Sequence, residues 1–314
     1  MSKYPTEKAP LLSATAVPVH AYQPESLTMS RTVQAEVATI EDFMEEAQDG
    51  LMIRERAYIA QVCCSICEKQ TQFKVANYDP HTTPDAPEDS QFLSRPASFQ
   101  VRERSECLQR YCCHQLRELE LGVFPVGGTM MSMGEKTGWP EGIEPILVME
   151  KPFKCPIICC CLMFCPFEMQ VRRPATTDRP GEYFGRTVCN WRWYNSCWPF
   201  DTYMNVVDGT EQVQYVLHRP DGCGSCFINC CAPSCFNKIH RTYILDPRNN
   251  MKIVGELQNV FPGCNARACC MWQSGADNYI VKFPPNANAL QKSLIMSGLF
   301  LQNFVFWERR ANQR

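Results

Sequence analysis

The feature that most constrains the fold of this chain is an apolar segment near its C-terminus. From Leu294 to Trp307 the sequence contains no charged residue, and its apolar side chains leave no polar stripe along a helix. Such a helix must be surrounded by protein or by lipid, because no face of it suits water. A helix over residues 290–307 would be about 27 Å long, which barely spans a membrane. Since Gln302 and Asn303 would be costly in hydrocarbon, the sequence favours a helix near 290–307 that is buried in protein.

The sequence before this helix predicts many short strands. Residues 71–75 alternate between polar and apolar side chains, as a half-buried strand does, and further short apolar runs follow up to residue 254. The pair Asp208–Gly209 lies between two such runs and indicates a two-residue hairpin turn. Short strands, regular turns and one apolar helix together predict a mostly β fold, an antiparallel β-barrel that encloses the C-terminal α-helix. We expect this barrel domain to cover residues 41–314, with a short amphipathic helix at residues 40–46.

Residues 1–40 are predicted to form an unstructured tail. They contain four prolines and show little periodicity. Glu7 lies four residues before the pair Leu11 and Leu12, which is the spacing of an acidic dileucine signal for endolysosomal sorting; ordinary tail composition is the alternative explanation. A tail of this kind would need a protein partner to become ordered.

Charge and motif content exclude several classes of function. The formal net charge is −2 and the pI is near 6.2, so nothing attracts the chain to nucleic acid, and we expect no nucleic-acid partner. The five histidines are not spaced as metal ligands, and no glycine-rich phosphate loop or nucleophile elbow is present. The sequence therefore predicts a protein that is not an enzyme in the covalent sense.

Cysteine is the unusual component, with 21 residues in five clusters and a few isolated positions. The first residues carry no apolar segment of the secretory type, so we expect no export and no framework of disulfides. Three interpretations of the thiols remain open. Isolated cysteines such as Cys189 could be small core residues. Zinc could bind at Cys223 and Cys226, which are followed by three more thiols up to residue 235.

The third interpretation is attachment of fatty acids next to a membrane. It suits one run of thiols best, because adjacent cysteines point in different directions and would close a tetrahedral metal site poorly. The run consists of Cys159, Cys160, Cys161 and Cys165.

Several motifs, taken in their order along the chain, resemble the phospholipid scramblase family. The motifs are Cys107-x4-Cys112-Cys113, Met149-Glu-Lys-Pro-Phe-Lys-Cys155 before the cysteine run, Gly185-x2-Val188-x2-Trp191, Asp221-Gly-Cys223-x2-Cys226, Asp277-Asn-Tyr-Ile-Val-Lys-Phe-Pro284 and the ending Gly298 to Glu308. The resemblance covers roughly residues 45–308. It implies a tubby-like barrel around a hydrophobic C-terminal helix, and acylation of the cysteine run.

The chain departs from the family where calcium is thought to bind. The family's aspartates correspond here to Gly275, Asp277, Asn286 and Asn288, so a single carboxylate remains. Calcium prefers six to eight oxygen ligands with several carboxylates, and Lys282 adds a nearby positive charge. We therefore expect calcium binding to be weak or lost, with Asp277 at most a partial ligand. The family's basic import-like segment is also absent, because residues 255–263 carry no Lys or Arg.

Two functional hypotheses follow. The resemblance implies a membrane-associated protein that moves phospholipids in both directions at the cytoplasmic leaflet of the plasma membrane or an endolysosomal membrane, with membrane phospholipids as its partners. The alternative is a non-catalytic scaffold that has lost calcium dependence and serves as a structural subunit of a large intracellular assembly.

Overall fold

The computed structural model describes most of the predicted barrel domain. The described residues are 39–56, 70–107, 109–110, 116–126, 138–140, 142–154, 166–175, 180–190, 201–220, 226–229, 232–263 and 277–307. The predicted tail, residues 1–40, lies almost entirely outside them, so the division between tail and barrel domain stays a prediction.

Twelve antiparallel strands in the described part of the chain form a closed barrel. Each strand pairs with its neighbours in sequence, and β12 closes the barrel by pairing with β1. The strands are β1 (Gly50–Glu55), β2 (Gln72–Asn77), β3 (Phe99–Arg104), β4 (Leu119–Pro125), β5 (Leu147–Lys151), β6 (Glu168–Arg173), β7 (Glu182–Asn190), β8 (Asp201–Asp208), β9 (Val213–Pro220), β10 (Ile239–Asp246), β11 (Lys252–Val260) and β12 (Asn278–Lys282). The predicted fold class, a mostly β antiparallel barrel with a C-terminal helix, is confirmed.

Alternating side chains explain why these segments form strands with one apolar face. In β2, Phe73 and Val75 are fully buried in the core, whereas Lys74 between them points outward and donates to the backbone oxygen of Leu93 at 2.8 Å. In β6, Met169 and Val171 are buried in the same way. Because successive side chains of a strand point to opposite faces, each strand contributes its alternate residues to one interior core.

The structure gives the bounds of four α-helices beside the strands. They are α1 (Ile40–Glu46), α2 (Asp89–Ser94), α3 (Cys226–Asn229) and α4 (Ala289–Gln302). Helix α1 has the predicted bounds and begins at a capping box between Thr39 and Asp42. Helix α4 begins at a second capping box between Asn288 and Gln291 and continues as a π-helical turn over Asn303–Trp307.

Helix α4 lies inside the barrel. Phe73 of β2 packs on Phe300 with ring centroids 4.8 Å apart, and the Thr187 hydroxyl of β7 donates to the backbone oxygen of Leu294 at 2.9 Å. Since β2 and β7 lie on different sides of the closed barrel, the helix between them is enclosed. Among the described helices, none is both long enough and apolar enough to cross a membrane.

The polar residues of α4 that would be costly in lipid have partners in the barrel wall. Gln302 accepts from the Thr242 hydroxyl of β10 at 2.9 Å, and Asn303 lies 2.6 Å from the Tyr279 hydroxyl of β12. Gly298 permits the close approach of helix and wall, because a Cβ at this position would lie 2.4 Å from Leu217 Cδ1. These contacts fix both the rotation and the depth of the helix.

One predicted turn is wrong. The pair Asp208–Gly209 does not make a two-residue hairpin, since β8 ends at Asp208 and β9 begins only at Val213. The Asp208 carboxylate accepts from the backbone N–H groups of Thr210 and Gln212 at 2.9 and 3.0 Å, which stabilises a four-residue turn. Glu211, at φ 64°, takes the left-handed conformation expected of the glycine.

Candidate functional site at one end of the barrel

The strand order gives the two ends of the barrel very different sequences. At the end where α4 finishes, the described strand ends are joined by six connections, which span residues 56–71, 105–118, 152–167, 191–200, 221–238 and 261–277. These six stretches of sequence contain every cysteine of the chain except Cys189, whereas the connections at the other end contain none. We call this end the cysteine-rich end.

The cysteines of the predicted acylation run lie outside the described residues. They are Cys159, Cys160, Cys161 and Cys165. The residues that flank the run on each side, Lys154 and Phe167, are described next to the ends of β5 and β6. The run therefore belongs to the connection between β5 and β6 in the sequence, and its acylation stays a prediction.

The zinc and sorting predictions also stay untested. Cys223 lies outside the described residues, and Cys226 is the first residue of α3, although its side chain is not described. Glu7, Leu11 and Leu12 lie outside the described part of the chain. Within the described ranges, no group of three or more His, Cys, Asp or Glu side chains could hold a metal ion.

Three thiols are described, and they differ in environment. Cys107 and Cys235 are exposed at the cysteine-rich end, whereas Cys189 is buried in β7. Burial raises the pKa of Cys189 to about 12, although Lys151 and Lys154 partly oppose the shift. Cys189 is thus a protonated core residue, as its isolated position in the sequence suggests.

Asp277 lies at the cysteine-rich end beside a carboxylate that sequence reasoning missed. Its backbone N–H donates to Glu55 at 3.2 Å, and its own carboxylate lies 3.3 Å from the Tyr279 hydroxyl. Glu55 and Asp277 are 222 residues apart in sequence and meet because β1 pairs with β12. No local signal in the sequence could have revealed this neighbour.

Three of the four positions aligned with the family's calcium segment are described, and they do not come together. Gly275 lies outside the described residues. Strand β12 separates Asp277 from Asn286 and Asn288, and its five residues extend over roughly 17 Å. Asn286 and Asn288 are exposed at the opposite end, where the Asn288 side chain accepts from Gln291 N and caps α4. Weak calcium binding, which the loss of aspartates predicts, is therefore also expected from the positions of Asp277, Asn286 and Asn288 in the barrel. It stays a prediction.

The supporting argument from Lys282 needs correction. Lys282 is the last residue of β12 and so lies at the far end of the strand from Asp277. Its ammonium donates to Glu256 at 2.8 Å. The charge of Lys282 is thus largely compensated and has little influence on an ion near Asp277.

A buried charged cluster lies beside the end of the central helix. Glu103, Arg117 and Lys151 are at most 1% exposed. Arg117 lies 3.4 Å from the Glu103 carboxylate, and Lys151 donates to the backbone oxygen of Arg117 at 2.7 Å. The Arg117 guanidinium also lies 5.3 Å from the ring centroid of Phe304. Buried charges need such partners, so the cluster is part of the barrel's structure.

The electrostatics of Glu103 show how well the cluster is compensated. Burial alone would raise the pKa of Glu103, but the charge of Arg117 and hydrogen bonds from Ser105 and Thr71 outweigh it and hold the pKa below its ordinary value. The Ser105 hydroxyl donates at 2.5 Å and the Thr71 backbone N–H at 2.8 Å. Glu103 therefore stays ionised and is not poised for proton transfer near neutral pH.

Exposed apolar side chains also occur at the cysteine-rich end. Phe236 is 93% exposed, and Phe153 and Ile228 are exposed by 44% and 39%. They lie in the two connections that contain the longest groups of cysteines, residues 152–167 and 221–238. Single exposed apolar residues are common on proteins, but a phenylalanine that is almost completely exposed is not.

Comparison with known proteins gives one family. The chain is 25% identical to phospholipid scramblase 1 of Rattus norvegicus over 211 residues, which are 67% of this chain and 50% of that protein. It is 23% identical to phospholipid scramblase 1 of Homo sapiens and 22% identical to phospholipid scramblase 2 of Bos taurus, over 67% and 66% of this chain and 53% and 56% of those proteins.

The extent of the similarity is limited. The chain spans about half the length of the curated relatives that it matches. No protein-family model matches it, and no solved structure does. Within the matched region, the family that the ordered motifs indicate is nevertheless the family that the comparisons return. The chain is a homologue of the phospholipid scramblases.

Proposed function

We propose that this protein attaches to a phospholipid membrane through its cysteine-rich end and moves phospholipids between leaflets with little dependence on calcium. The observation that carries the proposal is the distribution of cysteines in a barrel related to the scramblases. All but one of them belong to connections at one end, and the chemistry expected of the run at residues 159–165 is thioester attachment of fatty acids. A membrane would then face that end.

No covalent catalysis is part of this proposal. Lipid exchange between leaflets requires only a lower barrier for a polar headgroup in the apolar layer. The buried charges described above compensate one another, and Glu103 stays ionised. The protein would therefore change lipid distribution without a chemical intermediate.

The anchor can be tested by acyl-exchange labelling. We expect the wild-type protein to carry at least two thioester-linked fatty acids, because a single acyl chain gives only marginal membrane binding. A variant with serine at 159, 160, 161 and 165 should lose most of the label and shift from the membrane to the soluble fraction. Cys189→Ala is the matched control, since this buried thiol should contribute no label. Equal labelling of all three proteins would refute the anchor and leave core thiols or zinc, which metal analysis distinguishes.

The calcium prediction separates this function from its alternative. With one aspartate at the aligned positions and two asparagines at the other end of β12, affinity should fall to about millimolar or weaker. Calorimetry should show no binding at micromolar calcium, and headgroup exchange in liposomes should be equal with calcium and with chelator. Exchange that calcium stimulates would contradict the calcium part of the proposal and exclude the scaffold.

One observation favours a non-catalytic scaffold as the second candidate. Helix α4 and the π-helical turn after it fill the interior, and the residues from Lys292 to Val305 are buried among the strands. The described barrel therefore offers no polar path to a headgroup. If the protein shows no exchange in either condition and is recovered in a stable complex, it is a structural subunit of a large assembly.

The predicted tail, residues 1–40, indicates which membrane the protein occupies. The acidic dileucine pattern supports an endolysosomal membrane, with the protein on its cytoplasmic face. Replacing Leu11 and Leu12 with alanine should move the protein from endolysosomes to the plasma membrane in microscopy. A distribution that does not change would show that the pattern is ordinary tail composition.

A further inference from the structure

We propose that the turn around Phe236, which we call the Phe236 turn (residues 232–238), inserts into the surface of a phospholipid bilayer and orients the barrel on it. This inference rests on the proposed membrane function and adds a defined contact point. It needs no covalent modification of the turn. The occupant is a lipid surface with anionic headgroups.

The Phe236 turn is held in place by its own hydrogen bonds. The backbone N–H of Ser234 donates to Asn237 O at 2.8 Å, and the Ser234 hydroxyl accepts from the N–H groups of Phe236 and Asn237 at 3.2 and 3.3 Å. The Asn237 side chain in turn donates to Ile228 O at 2.8 Å. The backbone that carries the Phe236 side chain is therefore held in a defined conformation.

Further contacts fix the turn to the barrel wall. Asn229, at the end of α3, accepts from the backbone N–H of Arg241 at 2.7 Å and donates to its carbonyl at 2.9 Å. The backbone N–H of Phe261 donates to Lys238 O at 2.8 Å. Because the backbone of the turn is held by these hydrogen bonds, local flexibility does not explain why the Phe236 side chain is 93% exposed.

The neighbours of Phe236 favour lipid over a folded protein partner. Cys235 and Lys238 are exposed on the same turn, so an apolar tip stands beside a cation, as in segments that bind anionic bilayers. Among the described residues at this end, Phe153 and Ile228 are also exposed apolar side chains, by 44% and 39%. Phe153 follows β5 and Ile228 belongs to α3, so the apolar side chain at the tip of the turn that stands beside a cation is that of Phe236.

The location of Phe153 links the turn to the proposed anchor. Phe153 lies two residues after the end of β5, where the connection with the predicted acylation run begins. An acyl chain on that connection would bring the whole cysteine-rich end to the bilayer, so the Phe236 turn would meet the same lipid surface. Burying one phenylalanine side chain in an apolar phase should change partition about tenfold or more.

The test uses the full chain, with thioester-linked acyl chains removed by hydroxylamine, and vesicles of phosphatidylcholine and phosphatidylserine. We expect Phe236→Glu to weaken vesicle binding about tenfold. Ile253→Glu is the matched control, because Ile253 is an exposed apolar residue (54%) near the start of β11, at the opposite end. That variant should bind like the wild type. Vesicles should also protect Cys235 from a membrane-impermeant maleimide, as read by mass spectrometry.

The outcomes separate the inference from the function on which it rests. The inference would be overturned if the wild type and Phe236→Glu bind vesicles equally and Cys235 is alkylated equally with and without vesicles. It would also be overturned if Ile253→Glu loses as much vesicle binding as Phe236→Glu. If the acylated wild type itself fails to bind vesicles, the proposed function fails. Thermal unfolding of both variants should match the wild type, and Phe236→Ser provides a second variant if the glutamate prevents folding.

Discussion

Replacing Leu301 with aspartate should unfold the entire barrel domain. Leu301 is fully buried in the last turn of α4, among strands that surround it. Loss of a buried leucine side chain alone costs about 2–5 kcal/mol, and an unpaired carboxylate in the same place adds several kcal/mol more. Domains are stable by only about 5–15 kcal/mol, so the substitution removes most or all of the free energy of unfolding.

The same helix provides a matched control. Leu290 lies in the first turn of α4 and is 36% exposed. Aspartate there meets water and the N-terminal end of the helix, where negative charge is favourable. Leu290→Asp should therefore change the free energy of unfolding by less than about 1 kcal/mol, although the chemical change is identical.

The assay is urea unfolding followed by circular dichroism, with Leu301→Ala as an intermediate variant. Leu301→Ala should remain folded but lose about 2–5 kcal/mol, and Leu301→Asp should lack the unfolding transition. If Leu301→Asp unfolds at the same urea concentration as Leu290→Asp, helix α4 is not the core of the barrel and the reasoning from its burial is wrong.

Four further predictions follow from the structure. Arg117→Met should lower the free energy of unfolding by about 3 kcal/mol, because it leaves Glu103 buried without its cation; a loss below about 1 kcal/mol in urea unfolding would contradict this. Glu103→Gln should be less stable than the wild type at neutral pH. The pKa of Glu103 is depressed in the folded state, so its contribution to the free energy of unfolding is complete above the ordinary pKa of about 4.3. The contribution is lost as the pH falls through the lower folded-state pKa. The melting temperatures of the two proteins should therefore converge in acid and diverge at neutral pH. In the native protein at pH 7, Cys189 should resist alkylation while Cys235 reacts, since burial keeps the Cys189 thiol protonated with a pKa of about 12; equal labelling by mass spectrometry would disprove its burial. Asp208→Ala should lower the free energy of unfolding by about 1 kcal/mol, because the turn loses its carboxylate acceptor, and an unchanged melting temperature would argue against that role.

Local patterns predicted the elements whose cause is local. The apolar run identified the central helix, and the alternation in residues 71–75 identified β2, because both periodicities arise from backbone geometry. The hairpin after β8 was predicted wrongly, since Asp208–Gly209 carries a two-residue signal but the Asp208 carboxylate stabilises a longer turn. Whether the turn has two or four residues depends on side-chain hydrogen bonds, which the pair Asp208–Gly209 alone does not specify.

The candidate site was less predictable, because its contacts join distant parts of the chain. Glu55 lies beside Asp277 only because the barrel closes between its first and last strands. Glu103 and Arg117 are 14 residues apart and read as ordinary surface charges in sequence. The exposure of Phe236 is equally invisible, since a phenylalanine in a cysteine-rich stretch suggests burial.

The position of the central helix in the chain has a consequence for folding. Helix α4 follows all twelve strands, and β1 can pair with β12 only after nearly the whole domain has been made. While the ribosome synthesises this domain, the inner faces of the strands therefore have no core to cover. Exposed apolar strands of this kind are prone to aggregation and fold slowly. We expect the barrel to close only after α4 has emerged, so that the nascent chain depends on chaperones until α4 has been translated.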